Sequence, residues 1–374
     1  MASRATSGKA GGATAEATRL YHLAEQHRKA GWPKRAIALY RELLQAVPQH
    51  LAALEALEAL LEAEGDGEGA SATHCQRMAL EAENAYAIGK ALTSEGEHGR
   101  AASFFERAVA LQPDYRKAHW RLGESYSYLK RPADALRCYR RCLELDPRDG
   151  DVRYMIAALG GADAPPRAPE AYVKHYFDNY AGTFDTHLCN DLDYCGPDVL
   201  FDYAKRAMGG RKARFDILDI GCGTGLAGKK FRGLAQSLTG VDLSPEMLAQ
   251  AKALAVYDHL HLAEATAFLA DMPAGCFDLM IACDSLVYTG DLAPVMAAAT
   301  DALRPGGVFL LSLEKGRAPG FALQASGRYA HHPDYLPGVI QDRLSIAAAG
   351  EEVLRREYGA PVIELVYALV KPAP

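Results

Sequence analysis

The chain has 374 residues, 49% of them hydrophobic and 24% charged, which suits two or three soluble domains with buried cores. No apolar run approaches the ~20 residues of a membrane helix, and the eight cysteines include no C-x-x-C pair, so neither a spanning protein nor a structural metal is expected. The net charge of −6 is unevenly spread: residues 1–160 carry 22 Lys and Arg against 21 Asp and Glu, whereas residues 161–374 carry 19 against 26, which disfavours nucleic acid as a partner.

Residues 1–16 are Ala, Gly, Ser and Thr with scattered charge. They lack the apolar stretch of an export signal, so a disordered tail and a cytoplasmic protein are expected. From residue 17 to residue 160 the chain repeats itself. Pro113 and Pro147 stand 34 residues apart. Aligned on them, Ile88, Gly89, Leu92, Ala101, Phe105 and Ala108 match Leu122, Gly123, Tyr126, Ala135, Tyr139 and Cys142. An earlier unit reads Leu23, Ala24, His27, Ala36, Tyr40, Leu43 and Pro48. Two antiparallel helices approach where Gly or Ala replaces a large residue, an aromatic fills the gap, and Pro ends the second helix. The period and the ordered positions resemble tetratricopeptide repeats. The middle unit is degenerate, with Leu51–Glu62 as one helix and Glu64–Ser71 as an interrupting loop. Asp151–Leu159 is expected as a capping helix, and residues 161–169, within the Gly- and Pro-rich run from Gly160 to Pro169, as a linker.

Beyond the linker, in residues 170–374, apolar strands alternate with helical segments. Strands are predicted at Phe215–Ile220, Leu238–Val241, His259–Leu262, Phe277–Ala282 and Gly307–Ser312, with a hairpin of Leu354–Tyr358 and Val362–Val370 around Gly359. That alternation implies a doubly wound, mostly parallel sheet.

Five motifs carry the chemistry. The first strand runs into Asp219, Gly221, Cys222, Gly223 and Gly225. Glycines there let a cofactor lie against bare backbone. The dinucleotide fingerprint would need a further Gly where Leu226 stands. A carboxylate at Asp219 would repel a pyrophosphate and suits the ammonium of a methionine moiety. The second motif places Asp242 at the end of the next strand, 21 residues after Gly221, where a carboxylate accepts the hydroxyls of a ribose. Leu243 follows it, and Met247 is a candidate for the adenine face. Third, Glu264 and Ala265 follow the third strand and are assigned by position to the adenine edge. Fourth, Asp284 and Tyr288 end the fourth strand, where the acceptor should sit. Asp284 is either a substrate ligand and base or a capping carboxylate. The Asn-Pro-Pro-aromatic and Pro-Cys signatures are absent. Last, Leu303-Arg-Pro-Gly-Gly307 is a turn marking the fold.

In this order the five motifs resemble the class I S-adenosylmethionine-dependent methyltransferases over residues 214–313. The resemblance implies a Rossmann-like seven-stranded sheet with an antiparallel last strand, and S-adenosylmethionine as cofactor. Two flanking blocks, Tyr172–Asp185 and Gly327–Tyr335, resemble the methyltransferases that carry tetratricopeptide repeats. That resemblance makes residues 170–210 lid helices, with Tyr172 and Tyr180 near the methionine end. Read from spacing alone, Phe177, Tyr180 and Phe184 equally suit a packed helix face. Arg328 and His331 lie in a connection after the fifth strand, and His331 is the imidazole best placed for general-base work. A structural Arg–His network fits the same residues.

The expected activity is methyl transfer by in-line displacement to a nitrogen or oxygen of a peptide, a protein or a small molecule. Repeat arrays present concave surfaces to peptides, so a protein or peptide partner is expected there, with self-association an open alternative. The competing functional reading is a repeat-based scaffold whose methyltransferase domain only senses the cofactor. A nicotinamide dehydrogenase is disfavoured by Leu226 and Asp219.

Overall fold

The computed structural model describes residues 7–209, 214–357 and 359–373. The chain divides into two units, residues 1–147 and 148–374.

The first unit is a succession of helices: α1 (Ser7–Lys29), α2 (Pro33–Ala46), α3 (Leu51–Ala63), α4 (Gly67–Ser94), α5 (His98–Leu111), α6 (Arg116–Tyr128) and α7 (Pro132–Leu145). Small residues set the helix spacing. A Cβ on Gly89 would lie 2.6 Å from the Phe105 ring, and one on Gly123 would lie 2.8 Å from the Tyr139 ring. Ala24 and Tyr40 form the equivalent pair in the first unit, both without exposed surface. Pro33 and Pro132 open α2 and α7, where a missing N–H costs no hydrogen bond.

Two expectations for this unit need correcting. Residues 1–6 of the expected tail lie outside the described residues, but from Ser7 the Ala-rich stretch continues into α1. The loop expected over Glu64–Ser71 ends at Asp66. Its carboxylate accepts from Gly69 N at 2.9 Å and caps α4, and Ala70 and Thr73 are already buried. α4 then runs for 28 residues and packs against both α3 and α5. It thereby serves two neighbouring repeats, which explains the irregular spacing before Pro113.

The second unit begins with α8 (Gly150–Ala158), the helix expected to cap the array. Tyr154 ties it to this unit instead: its hydroxyl donates to Gly327 O at 2.7 Å, and its ring lies 4.8 Å from that of Tyr172. The expected linker is also pinned. Ala168 N donates to Tyr288 O, Gly290 N and Asp291 N donate to Pro166 O, and Tyr329 Oη donates to Pro165 O at 2.5 Å. Next come α9 (Glu170–Tyr180), the short α10 (Phe184–Thr186) and α11 (Gly196–Met208).

Strands β1 (Phe215–Ile220), β2 (Ala235–Asp242), β3 (His259–Leu262), β4 (Phe277–Ala282) and β5 (Leu303–Lys315) are parallel, in the order β3-β2-β1-β4-β5. Helices α12 (Leu226–Phe231), α13 (Pro245–Ala253), α14 (Ala265–Ala270) and α15 (Ala293–Ala302) connect them. Side chains alternate between the two faces of the sheet. Ile217, Leu279, Ile281 and Leu310 pack with Leu200 of α11 and Phe231 of α12. Leu218, Met280, Phe309 and Leu311 pack with Phe268 of α14 and Val295 of α15. Burial on both faces is why these strands read as unbroken apolar runs.

Among the described residues the sheet has nine strands, where seven were expected. β6 (Phe321–Leu323) and β7 (Tyr329–His331) are the additions, a short ribbon that joins the far end of β5 through Glu314 and Lys315. The block expected as an active-site loop is therefore partly sheet. After α16 (Tyr335–Ile340), β8 (Ser345–Glu357) and β9 (Ala360–Val370) form the expected hairpin around Gly359; Tyr358 lies outside the described residues. β9 runs antiparallel to β5, as the last strand of such a sheet should.

Candidate functional site

The order of strands reverses between β1 and β4, and in open α/β sheets ligands bind beyond the strand ends at such a point. The glycine turn after β1 lies there. Gly221, Gly223 and Gly225 all have positive φ, at 65°, 55° and 101°. At Gly221 space forbids any side chain as well, because a Cβ would stand 2.5 Å from the Cβ of Ser285, just after β4. The turn is braced from within: Gly221 N and Cys222 N both donate to Val241 O, and Gly225 N donates to Cys222 O. Cys222 is buried beneath it.

Asp242 closes the opposite side. Its Oδ2 accepts from Gly223 N at 2.9 Å and its Oδ1 from Ser244 N at 2.8 Å. Each carboxylate oxygen retains acceptor capacity beyond these bonds. Burial raises the Asp242 carboxyl above its ordinary range, opposed by the backbone donors. Leu243, beside it, is partly buried. The second-strand carboxylate and the glycine turn are therefore one hydrogen-bonded unit.

Helices α9 and α10 are fastened to this unit by residues to which the sequence assigned no role. Asp178 of α9 accepts from Ser244 Oγ at 2.6 Å, and Asp185 of α10 accepts from Thr224 Oγ1 at 2.6 Å. Gln250 of α13 donates to Ala181 O. The aromatic ring of Phe184 comes within 4.0 Å of where a Gly223 Cβ would be. Phe177 and Phe184 meet at 6.1 Å, and Phe177 and Tyr288 at 5.6 Å. Tyr180 packs on Phe184 at 5.1 Å and bonds His187. These aromatic side chains form one cluster, packed within itself and set against the glycine turn.

Several sequence-assigned roles do not match the geometry. Asp219 is 1% exposed and lies under the turn, where Tyr257 Oη donates to its Oδ2 at 2.7 Å. Burial pushes its carboxyl up to about 7, with the Tyr257 bond opposing and Asp242 adding to the rise. A proton there removes the charge that an ammonium would seek. Tyr257 itself escaped the sequence reading. Its ring fills the space over three glycines, so that a Cβ on Gly228 would lie 2.2 Å from its hydroxyl. Met247 is 1% exposed, on α13 just after Ser244, whose Oγ accepts from its N–H. Glu264 caps α14 by accepting from Ala267 N at 2.8 Å and also pairs with Arg167; Ala265 packs on the core. Tyr172 is buried between Tyr154 and Gly327, one helical turn from the cleft-side Tyr176.

The proposed catalytic groups separate in the same way. His331 has no exposed surface; its Nε2 meets Gly290 O at 2.9 Å, its ring stacks on Tyr335, and burial lowers its pKa. It sits in β7, a packed strand, with its imidazole enclosed. Arg328 is held by Glu314 and Glu357, each at 2.5 Å, and is a structural ion-pair partner. Burial and its tyrosine neighbours push the Tyr288 phenol far up, which disfavours its ionised form. Asp284 does stand at the strand end beside Ser285. It has φ of 54°, is fixed by Arg355 Nη1 at 2.7 Å, and donates its own N–H to Ser312 Oγ at 3.0 Å. Arg355, Glu314 and Glu364 were also missed. A glutamate inside the apolar run Val362–Val370 was the visible signal.

Comparison with known proteins agrees with this architecture. The profile of the methyltransferase domain family matches residues 218–311, and profiles of the tetratricopeptide repeat match residues 82–115 and 116–149. The human methyltransferase-like protein 27 is 32% identical over 165 residues, 43% of this chain and 64% of that protein. The ubiquinone biosynthesis O-methyltransferase of Xanthomonas axonopodis pv. citri is 29% identical over 114 residues, 30% of this chain and 48% of that protein. The chain thus spans less than two thirds of the length of either relative. Among solved structures, a Burkholderia thailandensis 1,6-didemethyltoxoflavin-N1-methyltransferase aligns with a TM-score of 0.43 and 18% identity over 56% of this chain and 93% of its own. The magnesium protoporphyrin IX methyltransferase of Synechocystis PCC 6803 aligns at 0.40 and 16% over 54% and 96%. The chain thus carries a methyltransferase domain together with tetratricopeptide repeats. Among the described residues no helix is long and apolar enough to cross a membrane.

Proposed function

We propose that the chain transfers a methyl group from S-adenosylmethionine to a nitrogen or oxygen nucleophile, on an acceptor recruited by the repeat array or supplied as a small molecule. The observation that carries this reading is Asp242, gripped by Gly223 N and Ser244 N across a turn where only glycine fits beside Ser285. Such a pairing of bare backbone and a fixed carboxylate fits an adenosyl group. Gly221, Gly223 and Gly225 would face the cofactor with main chain, Asp242 would take the ribose hydroxyls, and Leu243 would border them. When bound, the cofactor supplies an electrophilic methyl group on a sulfonium. The chain's own part is to align the acceptor and exclude water, which the aromatic cluster of Phe177, Phe184 and Tyr288 suits. The relatives' names speak of methyltransferases, one acting in ubiquinone biosynthesis, and support the reaction class without choosing an acceptor.

Calorimetry tests the cofactor site. Two hydrogen bonds to a carboxylate are worth roughly 3–6 kcal/mol, so Asp242→Ala should weaken S-adenosylmethionine binding by about a hundredfold or more. Wild-type affinity in that variant would remove the assignment. Consumption of methyl-labelled cofactor in cell extract separates catalysis from mere sensing, and mass spectrometry of the extract identifies the acceptor.

A further inference from the structure

Residues 173–187 form a strap between two buried anchors. At one end Tyr172 is buried against Tyr154, and at the other Leu188 is buried as well. Between the anchors Ala181 alone is buried. The strap winds unevenly. α9 gives way to a tight turn at Ala181–Thr183 and then to α10, and the chain widens into a π turn at His187–Asp191. Irregular turns of this kind mark hinges.

A segment with so few buried contacts opens at low free energy unless polar bonds hold it. Here they do. Asp178 Oδ1 accepts from Ser244 Oγ and Asp185 Oδ1 from Thr224 Oγ1, each at 2.6 Å. Gln250 donates to Ala181 O, and the rings of Tyr176 and Phe177 meet that of Tyr288 at 6.5 and 5.6 Å. Thr224 and Ser244 are buried, so their hydroxyls find acceptors in the strap and not in water. The two carboxylates reach opposite walls of one crevice. Thr224 stands inside the glycine turn, between Gly223 and Gly225, whereas Ser244 follows β2 and gives its N–H to Asp242. Phe184, between the two carboxylates in the chain, comes within 4.0 Å of the Cβ position of Gly223. The strap thus crosses the crevice from wall to wall and is fastened at both sides.

We propose that Asp178 and Asp185 are a latch that gates cofactor exchange; the inference rests on the methyl-transfer reading above. S-adenosylmethionine enters, and its product leaves, only while the strap is unfastened from Ser244 and Thr224. A latch differs in kinetics from a contact with the bound cofactor. Losing a contact speeds release alone. Losing a latch raises the open fraction of the free and the loaded chain alike, so entry and release both accelerate and affinity moves little.

The test uses the full chain, immobilised for surface plasmon resonance, with S-adenosylhomocysteine as the probe. Wild type, Asp185→Ala and the Asp178→Ala/Asp185→Ala double variant are compared. Hydrogen exchange of residues 172–188 is measured on the free chains, with Phe215–Ile220 of β1 as the reference. Loss of one hydroxyl–carboxylate bond should raise both rate constants and the strap's exchange by about tenfold, and loss of both by more. The dissociation constant should stay within about threefold, and exchange of β1 should not change. Unaltered rates would overturn the latch. So would faster release with entry unaltered, which marks a mere supporting contact, or equal acceleration of strap and β1, which marks general destabilisation. Failure of S-adenosylhomocysteine to bind the wild-type chain is a separate result: it would refute the cofactor reading itself, and the gate with it.

Discussion

Asp219 is a carboxyl group buried where the fold prefers it neutral, and replacing it by the isosteric amide gives a signed prediction. Burial carries its pKa from the ordinary 3.8 to about 7. The rise is about three pH units at about 1.36 kcal/mol each, or roughly 4 kcal/mol. The sign follows from proton binding. Below about pH 4 the carboxyl is protonated in both folded and unfolded chains, and its stabilising contribution is fully present. Between about 4 and 7 the unfolded chain ionises while the native one holds its proton, so stability falls as pH rises. Above about 7 the loss is complete. Asp219→Asn abolishes this site's titration and leaves an oxygen to accept from Tyr257 Oη. The variant should therefore gain on the wild type by up to about 4 kcal/mol between pH 4 and pH 8. Both tryptophans, Trp32 and Trp120, lie in the first unit, so their fluorescence is blind to β1. Hydrogen exchange of the peptide covering Phe215–Ile220, compared between variant and wild type at each pH, cancels the intrinsic rates and reads the difference directly. A pH-independent offset from a poorly satisfied amide is harmless to the argument, because the slope carries it. A difference that stays flat from pH 4 to pH 8 would refute the buried neutral carboxyl.

Two further substitutions probe the packing around the site and in the array. Tyr257→Phe removes the hydroxyl that satisfies Asp219 and should cost about 1–3 kcal/mol in the same exchange measurement; no loss would mean that the bond is dispensable. Gly123→Ala puts a methyl group 2.8 Å from the Tyr139 ring and should destabilise the array by about 1–3 kcal/mol. Trp120, whose ring lies 5.3 Å from that of Tyr139, reports it by fluorescence during urea unfolding, and an unchanged midpoint would contradict the close helix approach.

What the sequence disclosed and what it hid divide along a physical line. The parallel strands were legible because both faces of the sheet are buried, leaving runs such as Phe277–Ala282 with no polar interruption beyond Asp278. The repeats were legible because Gly89 with Phe105 and Gly123 with Tyr139 recur at one period. The pairing of Asp242 with the glycine turn follows from strand adjacency, which topology dictates. Which way a side chain turns at a strand end does not follow. Asp219 and Asp242 both stand at the end of their strands, yet one lies beneath the turn and the other clasps it. Register decides this, and a slip of one residue reverses it. Tyr257 reaches the site from the connection before β3, and Asp178 and Asp185 from helices α9 and α10, whose placement against the glycine turn no local pattern encodes. Arg328 and His331 were placed correctly in the chain, but an unforeseen β7 ribbon turned them inward.

The acidic excess of residues 161–374 acquires a different meaning in the fold. Read from composition, it described a surface unsuited to phosphate backbones. Several of those carboxylates are in fact inside: Asp219 under the glycine turn, Glu364 without exposed surface, Asp284 and Glu314 nearly enclosed. A charge in the interior neither repels nor attracts a distant polymer as a surface charge does. It acts at short range, on whatever enters the crevice between β1 and β4. A buried charge of this kind is also insensitive to salt that would screen a surface field.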